Sequence, residues 1–527
     1  MTTLKSPIAP DDAFGMVDHV AYFARIQPGR LACGDLSTGA RFSYLELDRR
    51  IDRCAGLLEA ALGDPEGQRI AVLARNSVDF LVLHLAGVRL GAIFVPLNWR
   101  LSAPEISVLV KDCAPRLLFV EDEFRPVADA LTGAHTVERM FSLEPGPFQQ
   151  TLDGAPAQPS RPRPARADQP STLLYTSGTT GKPKGVMFSE RNAFASTLNF
   201  SLCTRLNASS VMMCDMPMFH VAGLMAGVRA PLAVGGAVLL SPRFDPELAL
   251  QRLSDPKLGI THTFYVTQMT QILREHPAYA KADLSRLVCL TTGGAPNPAA
   301  NVQRWLDDGV VMADGFGMSE TGSAFNMPID DVALIRRKVG SSGLPLITLQ
   351  RRLVKPDGSL AGPGEVGELR LKGPSVTLGY WNQPEATQAA FDEDGYLKTG
   401  DLAYVDEDGF LFIVDRLKDM FISGGENVYP TEIENVIAEL DMVSEAAVIA
   451  VPDPQWGEVG QAYVVPVPGA QLTPETVLAH VRARLARYKA PKRVIVAEAL
   501  PRTASGKLQK NQLRERALKE LEAEKAG

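Results

Sequence analysis

Over roughly the first 400 residues, short unbroken apolar runs alternate with stretches whose apolar positions recur at helical spacing. Residues 69–74 (RIAVLA) read as a strand buried on both faces, residues 78–90 as a helix, and residues 92–96 (AIFVP) as the next strand. A helical pattern at 103–111 then leads into a strand-like run at 116–120. Strands that are apolar throughout and separated by helices cannot pair as hairpins, so this βαβ rhythm predicts mainly parallel sheets covered by helices. The last ~110 residues have the size of a separate domain. There, 446–451 (AAVIAV), 462–466 (AYVVP) and 494–496 are strand-like, 474–487 is an amphipathic helix, and 509–525 a charged terminal helix. The expected fold is mixed α/β, with layered βαβ sheets over 1–416 and a small α+β domain over 417–527. A chain of 527 residues exceeds what one core supports, which agrees with a division.

Composition narrows the classes. Apolar residues make up 45% and charged residues 22%, as in a globular protein. The net charge of -7 and pI of about 5.7 leave no basic domain, so a nucleic-acid partner is not expected. An anionic substrate must be met by a few placed lysines and arginines. The six cysteines form no C-x-x-C pair and sit mostly in apolar runs. Neither a disulfide framework nor a zinc site is expected, and a reducing compartment fits. The first residues lack the apolar core of a signal peptide, the apolar stretch 81–97 is interrupted by His84, Arg89 and glycines, and the final EKAG is no peroxisomal address. Cytoplasm is therefore the expected location. Residues 154–170, rich in proline and arginine, read as an exposed loop, and 362–370 as turns before short strands.

The strongest chemical signal follows the apolar Leu173-Leu174-Tyr175. Thr176, Ser177, Gly178, Thr179, Thr180, Gly181, Lys182, Pro183, Lys184, Gly185 and Val186 hold three glycines, two lysines and four hydroxyls in eleven residues. Glycines let backbone N–H groups approach oxygens, hydroxyls donate further bonds, and lysines add charge, so the loop suits a polyphosphate. It is not a Walker A loop, because Pro183 stands where that spacing needs glycine. TSGTTGKPKGV closely resembles the signature loop of the adenylate-forming superfamily: acyl- and aryl-CoA synthetases, peptide-synthetase adenylation domains and luciferase-like enzymes. The resemblance runs from about Phe42 to about Leu508.

Further elements resemble that family and take their expected roles from it. Gly294, Ala295 and Pro296, in a loop 291–296 after the strand-like 287–290, lie on the adenine side. Asp314, Gly315, Phe316, Gly317, Met318 and Ser319 match its nucleotide element, with Phe316 in place of the usual tyrosine and able to stack on adenine. Glu320 is the implied magnesium ligand, with Thr176, since magnesium takes oxygen donors and bridges phosphates. Asp401 and Arg416 are implied at the ribose. Lys418 is the implied hinge of a mobile small domain. Lys507, in PRTASGKL, is the implied catalytic cation, because negative charge gathers at phosphorus in the transition state. Gly424 and Gly425 would line the coenzyme A tunnel. His220, alone an ordinary core histidine, moves by resemblance to the mouth of an acyl pocket with Val221, Ala222, Gly223, Ala226, Gly315, Ser323 and Ala324. The other six histidines show no metal spacing.

The resemblance thus implies an acid–CoA ligase that makes an acyl-adenylate from a carboxylic acid and ATP, then transfers the acyl group to coenzyme A, with magnesium as cofactor. The small apolar residues after His220 favour a medium- or long-chain fatty acid, with an aryl acid of the hydroxycinnamate type (ferulate, coumarate) as runner-up. An adenylation enzyme loading a carrier protein, and an inactive nucleotide sensor, are the competing readings. Homodimers are common in such relatives, while the residues themselves leave the oligomeric state open.

Overall fold

A computed structural model of the chain describes residues 18–132, 137–159, 168–176, 183–295, 297–423, 425–502 and 508–526. The expected elements of the first stretch form as strands Arg69–Leu73, Ile93–Pro96 and Leu117–Val120, with helices Val78–Arg89 and Ala103–Cys113 between them. They build a six-stranded sheet in the order Arg139–Ser142, Leu117–Val120, Arg69–Leu73, Ile93–Pro96, Pro170–Thr176, Lys184–Ser189. Its pairs are parallel except the last, an antiparallel hairpin. Side chains alternate across this sheet. Ile70 and Val72 join one core with Phe94 and Phe119, whereas Ala71 and Leu73 join the core on the other face with Val95 and Leu118. That is why these strands carry no polar alternation.

A nine-stranded sheet is parallel in its middle, where Cys289–Thr292, His262–Tyr265, Val211–Cys214 and Ala237–Leu240 lie. At one end the hairpin of Met312–Met318 and Gly322–Asn326 continues it. Val238 and Leu240 share the core of Ile70 and Val72, so the two large sheets enclose a common interior. An antiparallel four-stranded sheet follows, in the order Gln350–Val354, Gly367–Lys372, Leu397–Val405, Leu411–Arg416. The remaining described strands, from Phe421–Ser423 to Arg493–Val496, form a separate five-stranded sheet with its own core of Ile433, Val448, Val464 and Val477. No helix among the described residues is long and apolar enough to cross a membrane. The six cysteines are unpaired, and all but the partly buried Cys203 are buried.

Two expectations are corrected. The amphipathic helix ends at Arg482 rather than residue 487. Beyond it the chain turns so that Leu485, Tyr488 and Ala490 reach the small core, which a straight helix would not allow. The strand expected at 287–290 instead spans Cys289–Thr292, where pairing with His262–Tyr265 and Met312–Met318 is available, so Thr291 and Thr292 are buried strand residues and the loop begins at Gly293.

Candidate active site

The phosphate motif connects the two strands of the hairpin Pro170–Thr176 and Lys184–Ser189, which pair up to Thr176↔Lys184. Ser177, Gly178, Thr179, Thr180, Gly181 and Lys182 lie outside the described residues, as do Pro296, Gly424 and Lys507. Beside the hairpin runs the segment 377–383. Trp381 N–H donates to Gly185 O at 2.8 Å, and Gln383 Nε2 to Pro183 O at 3.2 Å. The same segment reaches Glu320 twice. Thr377 N–H donates to its carbonyl at 2.7 Å, and the Tyr380 hydroxyl to its Oε1 at 3.0 Å. Lys184 Nζ lies 4.5 Å from the centre of the Tyr380 ring.

Glu320 is buried in the tight turn between Met312–Met318 and Gly322–Asn326. Ser319 shares that turn. Gly322, at φ 62°, makes it possible, since a Cβ there would sit 2.0 Å from Ser196 Oγ. In the loop expected beside the adenine, Gly293 approaches the next strand so closely that a Cβ would lie 2.8 Å from Gly315 O, and Gly294 has φ 84°. Asp314 is buried, and desolvation pushes its carboxyl well above the ordinary range. Its Oδ1 has no hydrogen-bond partner among the described residues. Phe316 packs edge-on against Phe325, with ring centres 6.1 Å apart. Asp401 and Arg416, two separate expectations in sequence, are cross-strand partners joined by an ion pair of 3.2 Å. Asp401 is buried and Arg416 is exposed.

The residues expected to line the acyl pocket follow a different plan. His220 caps a turn onto Pro217 O, its ring centre 4.4 Å from that of Phe219. Immediately after it the chain forms a π-helix, Ala222–Arg229. Such helices are rare and concentrate at functional sites. Gly223 is required there, because a Cβ would lie 2.2 Å from Pro217 O. Ala226 packs into a small core with Phe200 and Met212, against which Phe264 also leans. At the end of the π-helix, Arg229 makes a two-pronged bond to Glu190, at 2.9 and 2.6 Å, and its Nη1 lies 3.4 Å from His84 Nε2. Ser171 Oγ also donates to Glu190, at 2.7 Å. Burial alone would raise the Glu190 carboxyl, but Arg229 overrides it and holds the group at about 2. Burial, reinforced by Arg229, lowers the His84 imidazole to about 3.

The helix Glu190–Cys203 supports the facing wall through one polar row. Ser196 Oγ accepts from Ser323 N–H at 3.3 Å, Asn199 Nδ2 donates to Ser323 O at 3.2 Å, and Asn199 Oδ1 accepts from Thr348 N–H at 3.2 Å. Ala324, expected in the same wall, is instead fully enclosed in the core with Leu349, Leu369 and Leu371, because adjacent strand residues face opposite ways. Val221 and Ala222 are partly buried against the core of the two large sheets.

At the expected domain boundary, Lys418 is exposed in the turn after Arg416. Asp415 crosses that turn: its Oδ2 accepts from Thr431 N–H at 2.8 Å. Lys510, at the start of the terminal helix, pairs with Glu434 at 2.7 Å. Glu434 also accepts from Val448 N–H at 2.7 Å. Gly425 sits in the exposed turn between Phe421–Ser423 and Glu426–Val428, at φ 90°. A bridge between Arg502 and Leu508 brackets the segment that carries Lys507. Sequence reasoning missed Tyr380, Arg229, Glu190 and Lys510. A tyrosine between glycine and tryptophan, and isolated arginine, glutamate or lysine positions, carry no motif by themselves.

The pattern described as AMP-binding enzyme matches residues 20–381, and that of the AMP-binding enzyme C-terminal domain matches residues 432–507. A feruloyl-CoA synthase of Amycolatopsis is 40% identical over 478 residues, covering 91% of this chain and 94% of the relative. The long-chain-fatty-acid–CoA ligase FadD13 of Mycobacterium tuberculosis is 36% identical over 502 residues, covering 93% of this chain and 96% of the relative. ATP-bound MatB from Rhodopseudomonas palustris superposes with a TM-score of 0.87 at 32% identity, covering 94% of this chain and 98% of that one. These matches span the hairpin, the Glu320 turn and the small sheet alike, and on them the chain belongs to the AMP-binding enzyme family of the adenylate-forming superfamily, as an enzyme of the acid–thiol ligase class.

Proposed function

We propose that this enzyme is an ATP-dependent acid–CoA ligase whose acid is a planar aryl compound of hydroxycinnamate size. The observation that carries the aryl choice is the wall around Ala226, where the π-helix Ala222–Arg229 presents small residues backed by Phe200, Met212 and Phe264. Small side chains and glycine backbone offer flat contact to both faces of a conjugated acid. Such an acid also has few rotors to immobilise, unlike a fatty chain. The similarity to a feruloyl-CoA synthase supports the same choice. The fatty acid expected from sequence is the second reading, favoured by the small apolar residues after His220 and the similarity to FadD13.

In the first half-reaction a carboxylate oxygen of the acid attacks the ATP α-phosphorus and the bond to pyrophosphate breaks. Asp401 and Arg416 hold the ribose, the Gly293–Ala295 loop and Phe316 the base. Lys184 and the motif hydroxyls meet the phosphates, and Lys507 stabilises charge developing at phosphorus. His220 orients the carboxylate. In the second half-reaction the small domain turns about Lys418, and Gly424 and Gly425 line the path of the thiol. The sulfur then bonds to the acyl carbon, the acyl–phosphate bond breaks, and AMP leaves. The residues present fit magnesium: the buried Glu320 carboxylate, the Thr176 hydroxyl and phosphate oxygens would make a donor set that this ion prefers. Bound there, it would neutralise phosphate charge.

Coenzyme-A-dependent AMP formation from ferulate, 4-coumarate, benzoate, octanoate and palmitate tests the reading. Turnover confined to the cinnamates is expected. A preference for octanoate or palmitate overturns the aryl assignment. Pyrophosphate release indifferent to coenzyme A replaces the ligase with a carrier-loading enzyme, and silence with every acid leaves the nucleotide sensor.

A further inference from the structure

The geometry points to Tyr380 as a positioning residue that keeps Glu320 and Lys184 apart and aimed at the same metal–nucleotide complex. This inference rests on the reading of Glu320 as the magnesium ligand. Tyr380 itself is firmly placed. Its backbone bridges to Val186 of the hairpin, and its N–H donates to Thr387 Oγ1 at 2.9 Å. The preceding Gly379 has φ 124°, and a Cβ there would lie 2.4 Å from Thr387 Cγ2, so the approach admits only glycine. From that fixed backbone the side chain extends between two opposite charges. Its hydroxyl donates to Glu320 Oε1 at 3.0 Å, while its ring face carries the Lys184 ammonium at 4.5 Å from the centre.

The chemistry of this arrangement is specific. Without an intervening group, a buried glutamate and a nearby lysine would close into an ion pair and neutralise each other. Among the described residues Lys184 forms no ion pair. The ring face attracts an ammonium without consuming its N–H donors, which stay available to phosphate oxygens. The hydroxyl takes one carboxylate oxygen, Oε1, and leaves Oε2 as the oxygen that would meet a metal. A hydrogen bond to a charged acceptor is also strong enough to hold that orientation. Thr377 fixes the Glu320 backbone from the same segment, so the residue is held at its carbonyl and at its carboxylate.

The experiment measures Mn²⁺ binding by electron paramagnetic resonance, with the full-length enzyme and a non-hydrolysable ATP analogue. Metal-free AMP binding is measured in parallel by calorimetry. Y380F keeps the ring and removes only the hydroxyl. About tenfold weaker Mn²⁺ binding with unchanged AMP affinity is expected, and E320Q should weaken Mn²⁺ at least as much. Weakening in E320Q without weakening in Y380F overturns the role of Tyr380 alone. Unchanged Mn²⁺ binding in both variants overturns the Glu320 reading itself. Equal losses of Mn²⁺ and AMP binding in Y380F reduce Tyr380 to a structural residue and also overturn the proposal. Should Y380F fail to fold, T387V, which removes the acceptor of the Tyr380 N–H, must show the same selective loss for the proposal to stand.

Discussion

The two sides of the site are built differently. The wall proposed for the acyl group is anchored by a buried charge cluster, Arg229 with Glu190, His84 and Ser171, and by the helix-borne Asn199 amide that grips a strand. The side expected to bind phosphate rests on a hairpin and one tyrosine, with much of its motif in the connection between the two strands. Buried ion pairs are costly to break but contribute little to chemistry directly. Charges presented to substrate are the reverse. Damage to the acyl wall should therefore appear first as lost stability, and damage to the phosphate side first as lost rate.

The largest expected effect is on stability. Glu190→Gln leaves Arg229 buried without its counter-charge and should cost about 3–5 kcal/mol in denaturant unfolding. A loss below about 1 kcal/mol would remove the contrast drawn here. Next, Lys507→Ala should slow ATP–pyrophosphate exchange by ~10²–10³ while sparing both unfolding and thioester formation from a supplied acyl-adenylate. Equal loss in the two half-reactions would count against a domain that alternates between them.

A third effect depends on pH. The His84 imidazole is lowered from an ordinary 6.5 to about 3 by burial and Arg229, so the folded protein holds it neutral. Its contribution to stability is present above pH 6.5 and is lost as pH falls from there toward 3, by about 1.4 kcal/mol per unit. His84→Asn should flatten that slope in unfolding measured against pH, and an unchanged slope would assign it to other groups. The smallest effect sharpens the acyl side. Phe264→Ala should deepen the wall behind Ala226 and raise the octanoate-to-ferulate ratio of kcat/KM about tenfold, which steady-state kinetics with both acids would read.

The parallel core was legible because apolar runs of strand length separated by helical periods admit few arrangements. Ile70, Ala71, Val72 and Leu73 are buried whichever face they take. The motif at 176–186 stood out in the sequence because its residue types are unusual in combination. Asp401 and Arg416 were visible as separate residues, but only strand register pairs them. Ala324 was misplaced because a local motif names neighbours without saying which face of a strand each occupies.

By itself, the sequence determined the fold class and the family resemblance carried by its motifs, since these depend on local composition and short-range periodicity. Tertiary structure alone decided the partners across long separations: Tyr380 with Glu320, Arg229 with Glu190, and Lys510 with Glu434. A hydrogen bond between residues sixty positions apart has no signature in either neighbourhood. It exists because folding buries both groups, and burial makes each unsatisfied partner costly.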